Sequence, residues 1–105
     1  MPMSSLEDLA AELRTGSRGA TDLILDAIAC YEETEDRLNA YRSWAGHRAV
    51  VQAKAVDELL RAGVDLGPLM GIPVSVKDLY GVPGLPVYAG TDTAFPEEWQ
   101  DAGLV

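Results

Sequence analysis

Residues 67–90, GPLMGIPVSVKDLYGVPGLPVYAG, hold four of the chain's six prolines and five of its ten glycines. No helix runs through such a stretch. Each proline removes a backbone donor and fixes φ, and each glycine adds backbone freedom that a helix must give up. The part before it has helical periodicity. The stretch also carries Lys77, one of only two lysines. The rest of the chain is read around that residue.

The 105 residues amount to one domain's length, with 48% hydrophobic and 24% charged residues, an ordinary globular balance. Seventeen acids against eight Lys and Arg give a formal net charge of −9. That argues against a nucleic-acid surface, which needs clustered cations to neutralise phosphates. Cys30 is the single cysteine. It falls in a helical pattern and is expected to be a small buried apolar side chain. The N-terminus, MPMSSLEDLAAEL, has acids where a signal peptide is apolar. The longest uncharged run, Leu66 to Val76, is broken by Gly67, Pro68, Gly71 and Pro73 and is far short of the ~20 residues of a membrane helix. A soluble, cytoplasmic protein without membrane or nucleic-acid partner is expected.

Four helices are expected, over 4–15, 21–35, 47–62 and 96–105. In the first, Ser4 and Glu7 have capping-box spacing, Leu6, Leu9, Ala10 and Leu13 share a face, and Gly16 is a stop. In the second, Leu23, Ile24, Ala27, Ile28 and Tyr31 form the apolar stripe, with Ser17 or Thr21 as cap. The acids Glu32, Glu33, Glu35 and Asp36 oppose the dipole at a helix C-terminus, so the helix is expected to end among them in a solvated turn. Residues 38–44 alternate as a short extended piece. His47, the only histidine, stands at the start of the third helix without a second ligand near it, which points to a surface or capping role. In that helix Ala49, Ala53, Val56 and Leu60 share a face, Lys54 and Asp57 have the spacing of a surface pair, and Gly63 ends it. Pro96-Glu97-Glu98 opens the fourth.

Residues 72–79 are expected as a strand. Ile72, Val74 and Val76 lie on one face, and Pro73, Ser75, Lys77 and Leu79 on the other. A lysine at a strand end is usually a solvated surface residue. Here it follows an uncharged run and precedes a Gly/Pro-rich loop. An ammonium enclosed in apolar surroundings loses hydration and gives up its proton more readily, so it can serve as a base. It then needs a nucleophile or relay within hydrogen-bond reach. Ser75, one pleat away on the same face, is poorly placed for that.

Gly67-Pro68-Leu69-x-Gly71-Ile72-Pro73-Val74-x-Val76-Lys77-Asp78, followed by Gly84-Leu85-Pro86-x-x-Ala89-Gly90-Thr91, closely resembles the N-terminal part of amidase signature enzymes. Arg37-Leu38-Asn39-Ala40 and the helix from Gln52 through Lys54 to Asp57 are similar to upstream segments of that family. The resemblance runs from about Ser5 to Val105. It implies an α/β fold, the N-terminal part of an α/β/α sandwich, of which this chain holds mostly helices plus one or two short strands. Residues 1–105 would be a single partial domain, with a helical part over 1–66 and the strand and lysine loops over 67–95. The implied function is hydrolysis of a small-molecule amide by a Ser–cis-Ser–Lys triad without metal or cofactor, with Lys77 as the proton-accepting lysine. The family's two serines lie further along than the aligned region, and Ser4, Ser5, Ser17, Ser43 and Ser75 match neither. The chain is therefore expected to be an N-terminal segment, inactive alone, that associates with the rest of its enzyme or with a second copy. The parent is either a free-standing amidase or the amidase subunit of a tRNA-dependent amidotransferase. Met70, Gly81 and Thr91 depart from the family's usual residues. The alternative from another class is an acidic helical domain that acts only by association.

Overall fold

A computed structural model describes residues 4–101 and divides them into two compact units. The first comprises residues 4–38 and 46–73, the second 39–45 and 74–101.

Three helices build the first unit. Helix α1 spans Leu6–Thr15. Its cap is Ser5 rather than Ser4: the Ser5 hydroxyl accepts the Asp8 N–H at 3.0 Å, which satisfies one of the orphan donors of the first turn. The capping hydroxyl is thus shifted by one residue from the expected one. Gly16, at φ 81°, closes the helix by donating its N–H to the Glu12 carbonyl at 3.0 Å.

Helix α2 spans Ala20–Leu38, longer than expected at both ends. Neither Ser17 nor Thr21 caps it through an accepting hydroxyl. Its first N–H groups are met instead by the Asp57 carboxylate of α3. The acidic cluster does not end it. Glu32, Glu33 and Asp36 are exposed, so water screens their opposition to the dipole. Arg37 in the last turn offsets it further. The helix stops where Asn39 turns to φ 47°. Cys30 is exposed, contrary to the sequence reading. The buried stripe of α2 includes Leu23, Ile24, Ala27 and Ile28. At about 100° per residue, Cys30 sits about 200° around from Ile28.

Helix α3 spans Gly46–Arg61. Ala49, Ala53, Val56 and Leu60 all reach the core, as their spacing predicts, and Val50 joins them. Gly63, at φ 84°, forms the stop with Val64, whose N–H bonds the Leu59 carbonyl at 2.9 Å, while the Gly63 N–H bonds that of Leu60 at 3.0 Å. The core is Leu13, Ala20, Leu23, Ile24 and Ala53, one to three side chains from each helix. The small alanines let α2 and α3 approach closely. The N-terminus of α2 meets the C-terminal half of α3 through Asp57. Gly71 and Ile72 close over this core. Gly71 holds φ 96°, and a Cβ there would lie 3.0 Å from Leu13 Cδ1.

The second unit has little regular structure. Residues 38–44, expected as a short extended piece, form no strand: Leu38 ends α2, and 39–45 are irregular, with a bend at 42–43 and an edge-to-face Tyr41–Trp44 pair whose centroids are 4.9 Å apart. The strand expected over 72–79 is absent among the described residues, so the α/β character is not displayed here. A strand persists when a neighbour takes up its N–H and C=O groups. From Pro73 to Asp78, no N–H donates to the backbone of another described residue. Val74 is 82% exposed. Among the described residues, no ladder forms along this run. Val82 and Leu85 form an isolated bridge around a tight turn. Val87, 2% exposed, is the unit's buried centre, and its carbonyl accepts the Phe95 N–H at 2.8 Å. Of the helix expected over 96–105, Glu97–Asp101 forms a 3₁₀ helix, and the remainder lies outside the described residues.

Candidate active site

The second unit carries Lys77. Its carbonyl accepts N–H groups from Leu79 at 2.7 Å and Tyr80 at 3.1 Å, so the main chain turns immediately after it. The side chain is exposed and forms no hydrogen bond or ion pair with another described residue. Ser75 is exposed as well, with no bond to Lys77.

The residues after Lys77 are well tied. The Asp78 carboxylate accepts the Tyr88 N–H at 3.1 Å. That bond fastens the residue after the lysine to the second Gly/Pro loop. The loop is fixed in turn by Thr91: its N–H at 2.9 Å and its hydroxyl at 2.7 Å both donate to the Tyr88 carbonyl. The Tyr88 ring lies beneath the Arg42 guanidinium, 3.9 Å from its centroid, a cation–π contact. At the far end, the Gly84 N–H donates to Gln100 Oε1 at 3.0 Å. Gly81, where the resemblance favours an acid, has a reason to be glycine: a Cβ would run into the Trp99 carbonyl and lie 2.8 Å from that of Gln100. Thr91, another departure, still supplies a hydroxyl, which donates to the Tyr88 carbonyl.

In the first unit, two residues that the sequence did not single out for these roles do most of the polar work. Arg14 holds the 65–70 turn, the start of the Gly/Pro stretch. Its Nε and Nη2 grip the Asp65 carboxylate at 3.1 and 2.9 Å, Nη2 donates to the Gly67 carbonyl at 2.5 Å, and Nη1 to that of Met70 at 3.1 Å. The Arg14 hydrogen bonds, then the Gly67 N–H, hold the Asp65 carboxyl below the ordinary value. Asp57, expected in a pair with Lys54, turns instead to α2. Its carboxylate accepts the Ala20 N–H at 2.6 Å, the Thr21 N–H at 3.1 Å and the Thr21 hydroxyl at 2.6 Å. Partial burial pushes its pKa up, but the Thr21 and Ala20 bonds and the Arg61 charge together bring it below the ordinary value. No pattern in the local sequence announces either role, because each partner is distant in sequence. Among the described residues, no group of three or more His, Cys, Asp and Glu is placed to hold a metal ion. No described helix is long and apolar enough to cross a membrane.

The family model described as Amidase matches residues 22–105. The chain belongs to the amidase family. It is 59% identical, over 99 residues and 94% of its length, to 2-amino-5-chloromuconic acid deaminase of Comamonas testosteroni, covering 21% of that protein. It is 39% identical, over 68% of its length, to a glutamyl-tRNA(Gln) amidotransferase subunit from Lachnospira eligens, covering 15% of it. With the corresponding subunit from Thermobifida fusca it shares 34% identity over 96% of its length, covering 22%. The chain thus spans about a fifth of the length of these amidase-family relatives. The match includes the whole Lys77 region.

Proposed function

We propose that this chain is part of an enzyme that hydrolyses the C–N bond of a small-molecule amide, and that Lys77 is the proton acceptor of its Ser–cis-Ser–Lys triad. The observation that carries the reading is Lys77 itself: an uncommitted amine at the end of the family motif, followed at once by a loop tied down through Asp78 and Tyr88. In this scheme the lysine, neutral, takes a proton through a relay serine from the nucleophilic serine. The nucleophile attacks the amide carbon, the amine leaves with a proton, and water releases the acyl group. Backbone N–H groups of a glycine-rich loop stabilise the oxyanion. Both serines belong to a segment outside these residues, within an α/β/α sandwich whose strands include 72–79. The 105 residues alone do not turn over substrate. The 59% identity to 2-amino-5-chloromuconic acid deaminase favours a small carboxylate-bearing substrate.

Lys77→Ala in the full-length enzyme lowers kcat by ~10²–10⁴-fold, the usual worth of a positioned base. Near-normal turnover by that variant, with its fold intact, overturns the assignment.

A second reading, association without catalysis, is favoured by apolar exposure. Val74, Leu66 and Leu69 are 82%, 77% and 62% exposed. In that case the chain completes the remainder of its enzyme or a second copy of itself.

A further inference from the structure

We infer that Asp78 is a positioning residue for Lys77, acting as a hydrogen-bond acceptor rather than as a charge. The inference rests on the reading of Lys77 as the proton acceptor.

Among the described residues, no N–H from Val74 to Asp78 donates to a backbone carbonyl, whereas the residues that follow Lys77 are tied. The ties that the described residues show beside Lys77 therefore lie on its C-terminal side. Two constraints meet there. The Lys77 carbonyl is drawn into the turn by the Leu79 and Tyr80 N–H groups. The next side chain, Asp78, half-buried, reaches across to the Tyr88 N–H at 3.1 Å. Tyr88 is itself held on three sides, through its carbonyl by Thr91, through its ring by Arg42, and through its neighbour Val87, the unit's buried residue. Among the described residues, Asp78 is thus the side chain that links the residue after the lysine to this held loop. Its bond is to a main-chain N–H, a neutral donor, so a neutral carbonyl in the same place accepts it equally well in geometry. The Arg42–Tyr88 contact and the Asp78–Tyr88 bond together tie down the segment that follows the lysine. Proton transfer is sensitive to such support, since a displacement of about 1 Å can cost about 10²-fold in rate.

The test uses the full-length enzyme and compares Asp78→Asn, Asp78→Glu and Asp78→Ala, with Lys77→Ala alongside. Asp78→Asn keeps the acceptor in place and retains most of kcat. Asp78→Glu keeps the charge but moves the acceptor by one methylene, and lowers kcat about 10-fold or more with KM little changed. Asp78→Ala lowers it further where it folds, and the Tyr88 amide then loses its protection from hydrogen exchange. Asp78→Asn as damaged as Asp78→Glu, or Asp78→Glu as active as the parent, overturns the proposal. If Lys77→Ala is inactive while the Asp78 series is unaffected, only this inference fails. If Lys77→Ala is active, the reading beneath it fails.

Discussion

A single carboxylate, Asp57, does at the start of α2 what a local Ser or Thr does elsewhere. The chain offered two hydroxyls near that end, Ser17 and Thr21, and spacing pointed to either. The structure uses Thr21 as a donor and brings the acceptor from 36 residues away. Such a cap cannot be found by reading along the sequence, because nothing local distinguishes Asp57 from a solvated helix acid. The same holds for Arg14, whose fork meets Asp65 and two carbonyls that become neighbours only once the helices pack. Asp57 leads to a direct prediction. Its pKa is lowered in the folded protein, so its contribution to stability is fully present above the ordinary value of 3.8 and is lost as pH falls through the lower folded value. Urea melts of the parent between pH 5 and pH 2 should therefore show a fall in stability that Asp57→Asn lessens. Asp57→Ala at pH 7 costs about 1–2 kcal/mol, as for other lost N-caps. Unchanged melts in both variants exclude the role.

At the scale of elements, periodicity located all three long helices, because apolar residues at helical spacing leave few other ways to bury a face. Their ends were less legible. Glu32, Glu33 and Asp36 argued for an early stop, but exposed acids cost a helix little, and α2 continues through them to Leu38. Cys30 was placed inside by composition, since cysteine is usually buried. Angular position decided otherwise, and that was already implicit in the spacing from Ile28. Because the thiol lies on the solvated face of α2, it reacts with a thiol-directed reagent in the native protein without denaturant, about as fast as in the unfolded chain. Reaction only after unfolding contradicts this placement. The strand over 72–79 shows the opposite limit. Alternation is visible in its residues, but a strand is a property of a pair, and the described residues give it no partner.

For the whole molecule, family membership was the most legible feature. It rests on the ordered run from Gly67 to Thr91, which depends on no packing. What the sequence did not show is how the lysine loop is held, since Asp78, Tyr88 and Arg42 meet only through folding. Each unit leaves large apolar side chains in water, Leu66 and Leu69 in one and Val74 in the other. Exposed apolar area drives association. The 105-residue chain should therefore elute from a sizing column as an associated species, and Leu66→Ser combined with Val74→Ser should shift it toward the monomer. A monomeric, cooperatively melting parent chain argues against association.

The carboxylate that joins α2 to α3 has one more consequence. Isolated helices fray from their ends, and the first turn is normally the first to open. Here the Ala20 and Thr21 N–H groups are held by a residue in the last turns of α3. The beginning of one helix and the end of the other cannot loosen independently. Fraying, ordinarily a local event, becomes a shared one, and the two helices open as a single cooperative unit.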